Sequence, residues 1–241
     1  MSEALFKLGG LRFWHESEIE LREAFQARVA NVIKRKLLDI NPAWRFARCE
    51  GPILHPRSQI SAAYDDSDIF VTNDIRGGEA LCLRAETTPS SYAYANWLGG
   101  KLPLCVWQTG ISSRREKNDG ASASKLRFNS FWQMEFQCIY RADTKADYRA
   151  TLMPAVVREI ERFTMSMVRI VPSDRLPSYS ESTLDIEALH NGFWREMASC
   201  SIRNDYSDET RVCEIAIGLD RVATLANQDY ASRATLQERS K

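Results

Sequence analysis

From Glu18 to about Leu38 the apolar positions Leu21, Phe25, Val29, Val32 and Ile33 recur at intervals of three and four, which predicts an amphipathic helix. Asn41-Pro42 ends it, because the residue before a proline is pushed out of helical geometry. "WRFARCEGPILHP" then alternates and reads as a strand that breaks at Gly51-Pro52. "EALCLRAETT" is a second strand feeding a loop, and "SSYAYANWL" reads as a helix. "LPLCVWQTGISSRRE" and "KLRFNSFWQMEFQCIY" are long β-rich runs on either side of a small polar loop, the pattern of an antiparallel hairpin. Val156, Ile160, Phe163, Met167 and Ile170 mark a further helix. Strands follow around "SYSESTLDIEA", "GFWREMASCSI" and "RVCEIAIGL", with a last helix starting near Asp220. Strands outnumber helices through the middle and are mostly hairpin-connected, so the expected class is α+β, an antiparallel sheet flanked by helices. Nothing repeats and no Pro/Gly/Ser linker divides the chain, so one domain over 1–241 is expected.

Composition narrows the function classes. Hydrophobic content of 44% and charged content of 27% are ordinary for a globular chain of 241 residues. The formal net charge is zero, so no global field draws the protein to nucleic acid or acidic membranes. Lys34-Arg35-Lys36 is a short basic run, either a local patch or a solvated helix face. The six cysteines (Cys49, Cys82, Cys105, Cys138, Cys200, Cys213) contain no C-x-x-C pair, and His15, His55 and His190 are isolated. That spacing argues against zinc, and the missing signal peptide argues against disulfides. No apolar run approaches the roughly 18 residues of a membrane span. Reduced thiols in a soluble cytoplasmic protein are expected, with neither cysteine nor histidine catalysis.

Candidate chemistry concentrates between Ser113 and Glu135, "SRREKNDGASASKLRFNSFWQME". Residues at i and i+2 of a strand share a face, so Arg114 and Glu116 point the same way. Phe131, Gln133 and Glu135 share a face as well, with Arg127 four residues before Phe131. One side of the hairpin then carries cations, an aromatic ring and carboxylates, which cannot be buried without partners. Mutual salt bridges would supply them. So would a ligand bearing phosphates, an ammonium group and a flat ring, since arginine forks match phosphate oxygens.

Arg114-x-Glu116, a loop and Arg127-x-x-x-Phe131 resemble the second signature motif of class II aminoacyl-tRNA synthetases. "CEGPILHP" after a long helix is similar to the first motif, and "EIAIGLDR" (Glu214 to Arg221) resembles the third; the three fall in the order the class requires. "SYSESTLDIEA" and "GFWREMASCSIRNDYS" look like the glycyl-tRNA synthetase stretch in which Tyr-Ala, Asp-x-Glu and Gly-Trp-x-Glu precede Arg-x-x-Tyr. "FWQME" is similar to that family's Phe-Thr-Gln-Ala-Glu, and "LCLRAETT" to its Leu-Arg-Pro-Glu-Thr. The likeness covers roughly residues 18 to 230.

The resemblance implies an ATP-dependent ligase that makes an aminoacyl-adenylate and charges tRNA, with ATP as substrate and Mg²⁺ beside it. Arg114 and Arg221 would be the catalytic arginines, Arg114 on the α-phosphate. Arg127 and Arg221 would hold the γ-phosphate, with adenine between Phe131 and Arg221 and Glu116 at its edge. Glu196 would lie near the phosphates and hold Mg²⁺ with water. A small amino acid, glycine first, would be bound by Arg84, Glu86, Gln133, Glu135, Glu214 and Ala216. Pro52 would lie in a homodimer interface.

The sequence also departs from the glycyl pattern. Ala216 stands where serine is expected, Asn129-Ser130 replace an Arg-Glu pair, and Thr88-Pro89-Ser90 replace Ala-Gln-Gly. Alanine, serine or another small amino acid would therefore be competing substrates. About twenty residues follow Arg221, leaving no room for the usual anticodon-binding domain. Besides charging of a tRNA acceptor end, two readings stay open: transfer to a carrier protein or small molecule, and a non-catalytic scaffold.

Overall fold

The computed structural model describes residues 13–60, 64–72, 80–116, 121–174 and 176–228. The first predicted helix is α1 (Glu16–Ile40), whose Phe25, Val29, Ile33 and Leu37 are buried. The expected break at Gly51-Pro52 sends the chain from β1 (Arg45–Arg48) into β2 (Leu54–Pro56), which pairs with β3 (Leu81–Leu83) in a separate two-stranded sheet. α2 (Thr88–Trp97) follows, then the hairpin strands β4 (Leu104–Ser113) and β5 (Ser130–Arg141), paired antiparallel as expected. α3 (Tyr148–Thr164), β6 (Val168–Pro172), β7 (Ser180–His190), β8 (Phe193–Arg203) and β9 (Thr210–Gly218) come next, and α4 over 219–228 starts directly from β9.

Among the described residues seven strands form one sheet in the order β1-β4-β5-β9-β8-β7-β6, antiparallel throughout except for β1 beside β4. The fold class is thus the expected α+β. Alternation of side chains sorts the sheet into two faces. Met134, Phe136, Cys138, Cys213, Ile215 and Ile186 point one way and pack with α1 and α3 into the main core. On the other face α2 covers part of β4, β5 and β9, where Ala95 clusters with Leu104, Val106, Ile139 and Val212. The rest of that face stays open.

Two expectations need correction. The helix marked by Val156, Ile160 and Phe163 stops at Thr164, where Met165 takes a left-handed conformation (φ 54°) and donates its N–H to Glu161 O. Met167 and Ile170 are exposed; Ile170 lies in β6, whose β-branched Val168-Arg169-Ile170-Val171 pairs with β7. A period of three to four that crosses a helix end by coincidence cannot be told from a continuing helix. The hairpin strands are also shorter than their polar ends suggest. β4 stops at Ser113 and β5 starts at Ser130, so Arg114, Glu116 and Arg127 sit on the irregular connection. Of the basic run, Lys34 lies over the Phe46 ring at 5.5 Å on an exposed stretch of α1. Among the described residues no helix is long and apolar enough to cross a membrane.

Arg84 ties the small sheet to the large one. Its Nε donates to Ile111 O at 2.6 Å, and its Nη1 to Gly51 O at 2.8 Å and Pro52 O at 3.3 Å. The guanidinium crosses β4 at Gly110, where an added Cβ would meet Arg84 Nη2 at 1.8 Å. Gly110→Ala is expected to displace this staple and lower the unfolding free energy by about 2–3 kcal/mol, the usual range for overpacking a tight site. Urea unfolding of the two proteins measures it; equal midpoints and slopes would remove the staple.

Candidate active site

The open face carries the polar residues in rows. Gln108, Glu135, Ala216, Ser199 and Asp185 lie directly opposite one another across β4, β5, β9, β8 and β7. Gln137, Glu214, Ser201 and Thr183 form the next row, and Gln133 stands beside Gly218 on the other side. Above the rows lies a cavity of about 220 Å³. Glu86, Arg114, Phe131, Gln133, Glu135, Glu196, Glu214, Ala216 and Arg221, nine residues singled out from sequence, line it. A second cavity of about 240 Å³ takes Arg127 and shares Glu196, Asp185 and Arg221 with the first. A narrow slot of about 20 Å³ between Phe131 and Arg221 includes Glu116. Arg221 borders all three spaces.

The arginines are held by backbone oxygens rather than by one another's acids. Arg221 Nε donates to Leu126 O at 3.0 Å and Nη1 to Glu196 O at 2.7 Å, with the Glu196 carboxylate 3.6 Å away. Leu126 has φ 53°, the conformation that a buried leucine adopts only under constraint from its surroundings. The aliphatic part of Arg221 lies over Gly218, where a Cβ would come within 3.1 Å of Arg221 Cδ. This explains the glycine of "EIAIGLDR". Its Asp220 is a buried brace: one oxygen accepts from Arg22 at 3.0 Å and the other from Trp132 N at 2.7 Å, joining α4 to α1 and β5. Arg114 Nε donates to Ala85 O at 3.0 Å. Arg127 is half exposed and pairs with Glu116 at 3.4 Å, so mutual salt bridges do form, there and between Arg221 and Glu196.

Charge is stored unevenly. Burial and repulsion from Arg114 and Arg127 pull the pKa of Arg221 below its ordinary value, with Glu196 opposing. Burial also works against the charge on Arg114, but Tyr64, Glu86 and Glu196 outweigh it and hold its pKa above the ordinary value. Burial and the neighbouring Glu214 push Glu135 up to about 7, against the hydroxyls of Thr87 and Thr88.

Glu135 serves the protein first. It accepts from the Thr87 and Thr88 hydroxyls, from Thr87 N at 3.2 Å, from Gln133 Nε2 at 3.2 Å and from Gln137 Nε2 at 2.6 Å. It thus pins the start of α2 to the sheet. Glu214 Oε2 accepts from Arg203 and, at 2.8 Å, from Gln137. Arg84, expected to touch the amino acid, stands apart from the cavity, since its guanidinium is engaged by the three carbonyl oxygens described above. Pro52 is exposed beside exposed Ile53 and Leu54.

Several site residues escaped sequence reasoning. Tyr64 and Tyr179 wall the first cavity. Arg203 stacks on Tyr179 at 3.9 Å and grips Asp205 with two nitrogens, at 3.1 and 2.6 Å. Arg203-x-x-Tyr206 and Asp185-x-Glu187 were visible as spacings, whereas nothing around Tyr64 marks it. For Mg²⁺, no cluster of three metal-ligating side chains exists among the described residues. Mg²⁺ keeps several waters and takes one or two carboxylates plus phosphate oxygens, and Asp185 and Glu196 on the shared cavity wall fit that demand.

The fold is similar to a solved structure of prolyl-tRNA synthetase from Cryptosporidium parvum complexed with halofuginone and AMPPNP. The TM-score is 0.73 at 13% identity, over 92% of this chain and 48% of that one. This chain therefore spans about half the length of that enzyme. No family model and no curated protein matches by sequence. The chain has the fold of a class II aminoacyl-tRNA synthetase catalytic core.

Glu135 makes stability depend on pH. Its folded pKa is raised from 4.5 to about 7, so its contribution is fully present below the unfolded value and is lost as pH rises through the folded one. Unfolding free energy is expected to fall by up to about 3 kcal/mol between those limits in the parent and not in Glu135→Gln. Urea titrations at both ends of the window check it; parallel pH profiles would exclude a protonated Glu135.

Proposed function

We propose that this chain, working as a single catalytic domain, activates a small amino acid with ATP and passes the acyl group to the acceptor end of tRNA. One observation carries the reading: Arg114 and Arg127 from the β4–β5 connection and Arg221 from α4 converge on cavities that share Arg221, with Phe131 lining two of them. Like charges held this close are stabilised by a polyanion. A nucleoside triphosphate, such as the analogue bound to the prolyl enzyme, supplies one together with a ring for the slot between Phe131 and Arg221.

The amino-acid carboxylate attacks the α-phosphorus in line, forming a C–O–P mixed anhydride while the bond to the β,γ-pyrophosphate breaks. No proton needs to leave the carboxylate, so no general base is required, and the chain's work is positioning and charge stabilisation. Arg114, fixed through Nε, donates its terminal N–H groups to the α-phosphate oxygens. Arg127 and Arg221 hold the γ-phosphate at the second cavity. Bound Mg²⁺ would neutralise charge between the phosphates, held by Asp185, Glu196 and water.

The substrate's ammonium group meets Glu86 and Glu214, whereas Glu135 acts chiefly through α2. The floor of Gln133, Glu135, Glu214, Ser199 and Ser201 offers little apolar surface to a branched side chain. That favours glycine first, with serine and alanine admitted by the absence of a hydroxyl at Ala216.

Amino-acid-dependent ATP–pyrophosphate exchange, screened over all amino acids, is the direct test, with glycine expected to give the highest rate. Arg114→Ala is expected to cut exchange by roughly 10²–10³, the usual loss for one preorganised donor to developing charge. A near-parental rate would remove the arginine assignment. Exchange without tRNA charging would move the acceptor to a carrier protein or small molecule.

We read the protein as a homodimer through Pro52, supported by exposed Ile53, Leu54 and Val71 on and beside the small sheet. Light scattering is expected to give twice the chain mass at micromolar concentration. A clean monomer would exclude the dimer.

A further inference from the structure

Arg114 touches two rings from different parts of the chain. Its Cζ lies 5.2 Å from the centroid of Tyr64 and 5.3 Å from that of Phe131. Tyr64 is itself fixed. Its ring packs on Ile60, Ile69, Cys82 and Ala85, and its carbonyl accepts from Arg57 Nη2 at 2.9 Å. Arg57 also pairs with Asp66 at 2.8 Å, which locks the segment to the 3₁₀ turn after β2. With Nε on Ala85 O, the Arg114 guanidinium has a defined plane. Neither of its terminal nitrogens has a hydrogen-bond partner among the described residues, although the group lines the first cavity.

We propose that Tyr64 is a positioning residue whose ring, opposite Phe131, sets the direction in which Arg114 meets the α-phosphate. This rests on the activation reading above. A cation held by π faces in a desolvated site loses little freedom when charge develops in front of it, and so acts at full strength in the transition state. The tyrosine ring matters for this role and its hydroxyl does not. Glu86 and Glu196 also face Arg114, as does Tyr179, but none of them fixes its plane through a ring contact that the structure records.

The experiment is a double-mutant cycle on ATP–pyrophosphate exchange with the best amino acid. Tyr64→Leu is expected to lower kcat roughly 10–30-fold, with KM for ATP moving less than about threefold. Tyr64→Phe keeps the ring and is expected to stay within about twofold of the parent. In an Arg114→Ala background, Tyr64→Leu is expected to add less than about twofold, because the group it orients is gone. Melting curves establish that each variant folds. Should the leucine variant unfold, Tyr64→Met, which is longer and more adaptable than leucine and also lacks a π face, carries the same expectations.

Equal losses from Tyr64→Leu in both backgrounds, or a change in KM alone, would overturn the clamp while leaving the activation reading in place. No exchange by the parent with any amino acid would overturn the activation reading, and the clamp with it.

Discussion

The guanidinium of Arg221 is half-buried where desolvation and two other arginines all act against its charge. It stays because the backbone leaves it nowhere else to go. Leu126 turns its carbonyl inward from a left-handed conformation, Glu196 offers its own carbonyl, and Gly218 leaves the floor bare beneath the side chain. The charge is thereby preorganised rather than neutralised. Strain and repulsion are tolerated at one point, and three separate spaces acquire a common cationic corner. Charge preorganised in this way needs no rearrangement to meet an anion.

The sheet lets the fold tolerate that strain and repulsion. The same strands that present Glu135, Glu214 and Asp185 upward place Phe136, Ile215 and Ile186 downward against α1 and α3. Each strand is therefore anchored by apolar burial on one side while the other side carries charge. α2 completes the arrangement by covering only part of the open face, with its first residues bound to Glu135. Beneath the cavity, Gln108 donates to Thr87 O and Ser91 Oγ, and Gln137 donates to both floor carboxylates, adding to the partners these buried groups already have.

The acids of the floor divide into two tasks that sequence cannot separate. Glu135 holds protein donors on both oxygens, whereas the donors to Glu214, from Arg203, Gln137 and Thr88, all meet its Oε2 and the residue lines the cavity. Arg203, gripped by Asp205 and stacked on Tyr179, is fixed in place to pair with Glu214. Thr88 links the two carboxylates, with a hydroxyl within reach of both. A residue that breaks the glycyl pattern thus sits inside the hydrogen-bonded floor, at the start of α2.

Local pattern was enough for most elements: α1, the β4–β5 hairpin and the last three strands follow from periodicities that depend only on neighbours in the chain. Nine of the candidate residues line one cavity; i, i+2 spacing accounts for those on strands, such as Phe131, Gln133 and Glu135 or Glu214 and Ala216, whereas Glu86, Arg114 and Arg221 lie outside the strands. Local pattern failed where a helix ended without a proline, at Thr164, and where a side chain's partner came from afar. Arg84 looked like a ligand contact and is a staple on carbonyls of Gly51, Pro52 and Ile111. Tyr64 carries no motif and reaches Arg114 across fifty positions of chain. Which face a residue occupies is a local property of the backbone. Which group answers it is not, because hydrogen-bond and ring partners are chosen by chain closure over long separations, and only the assembled tertiary structure decides them.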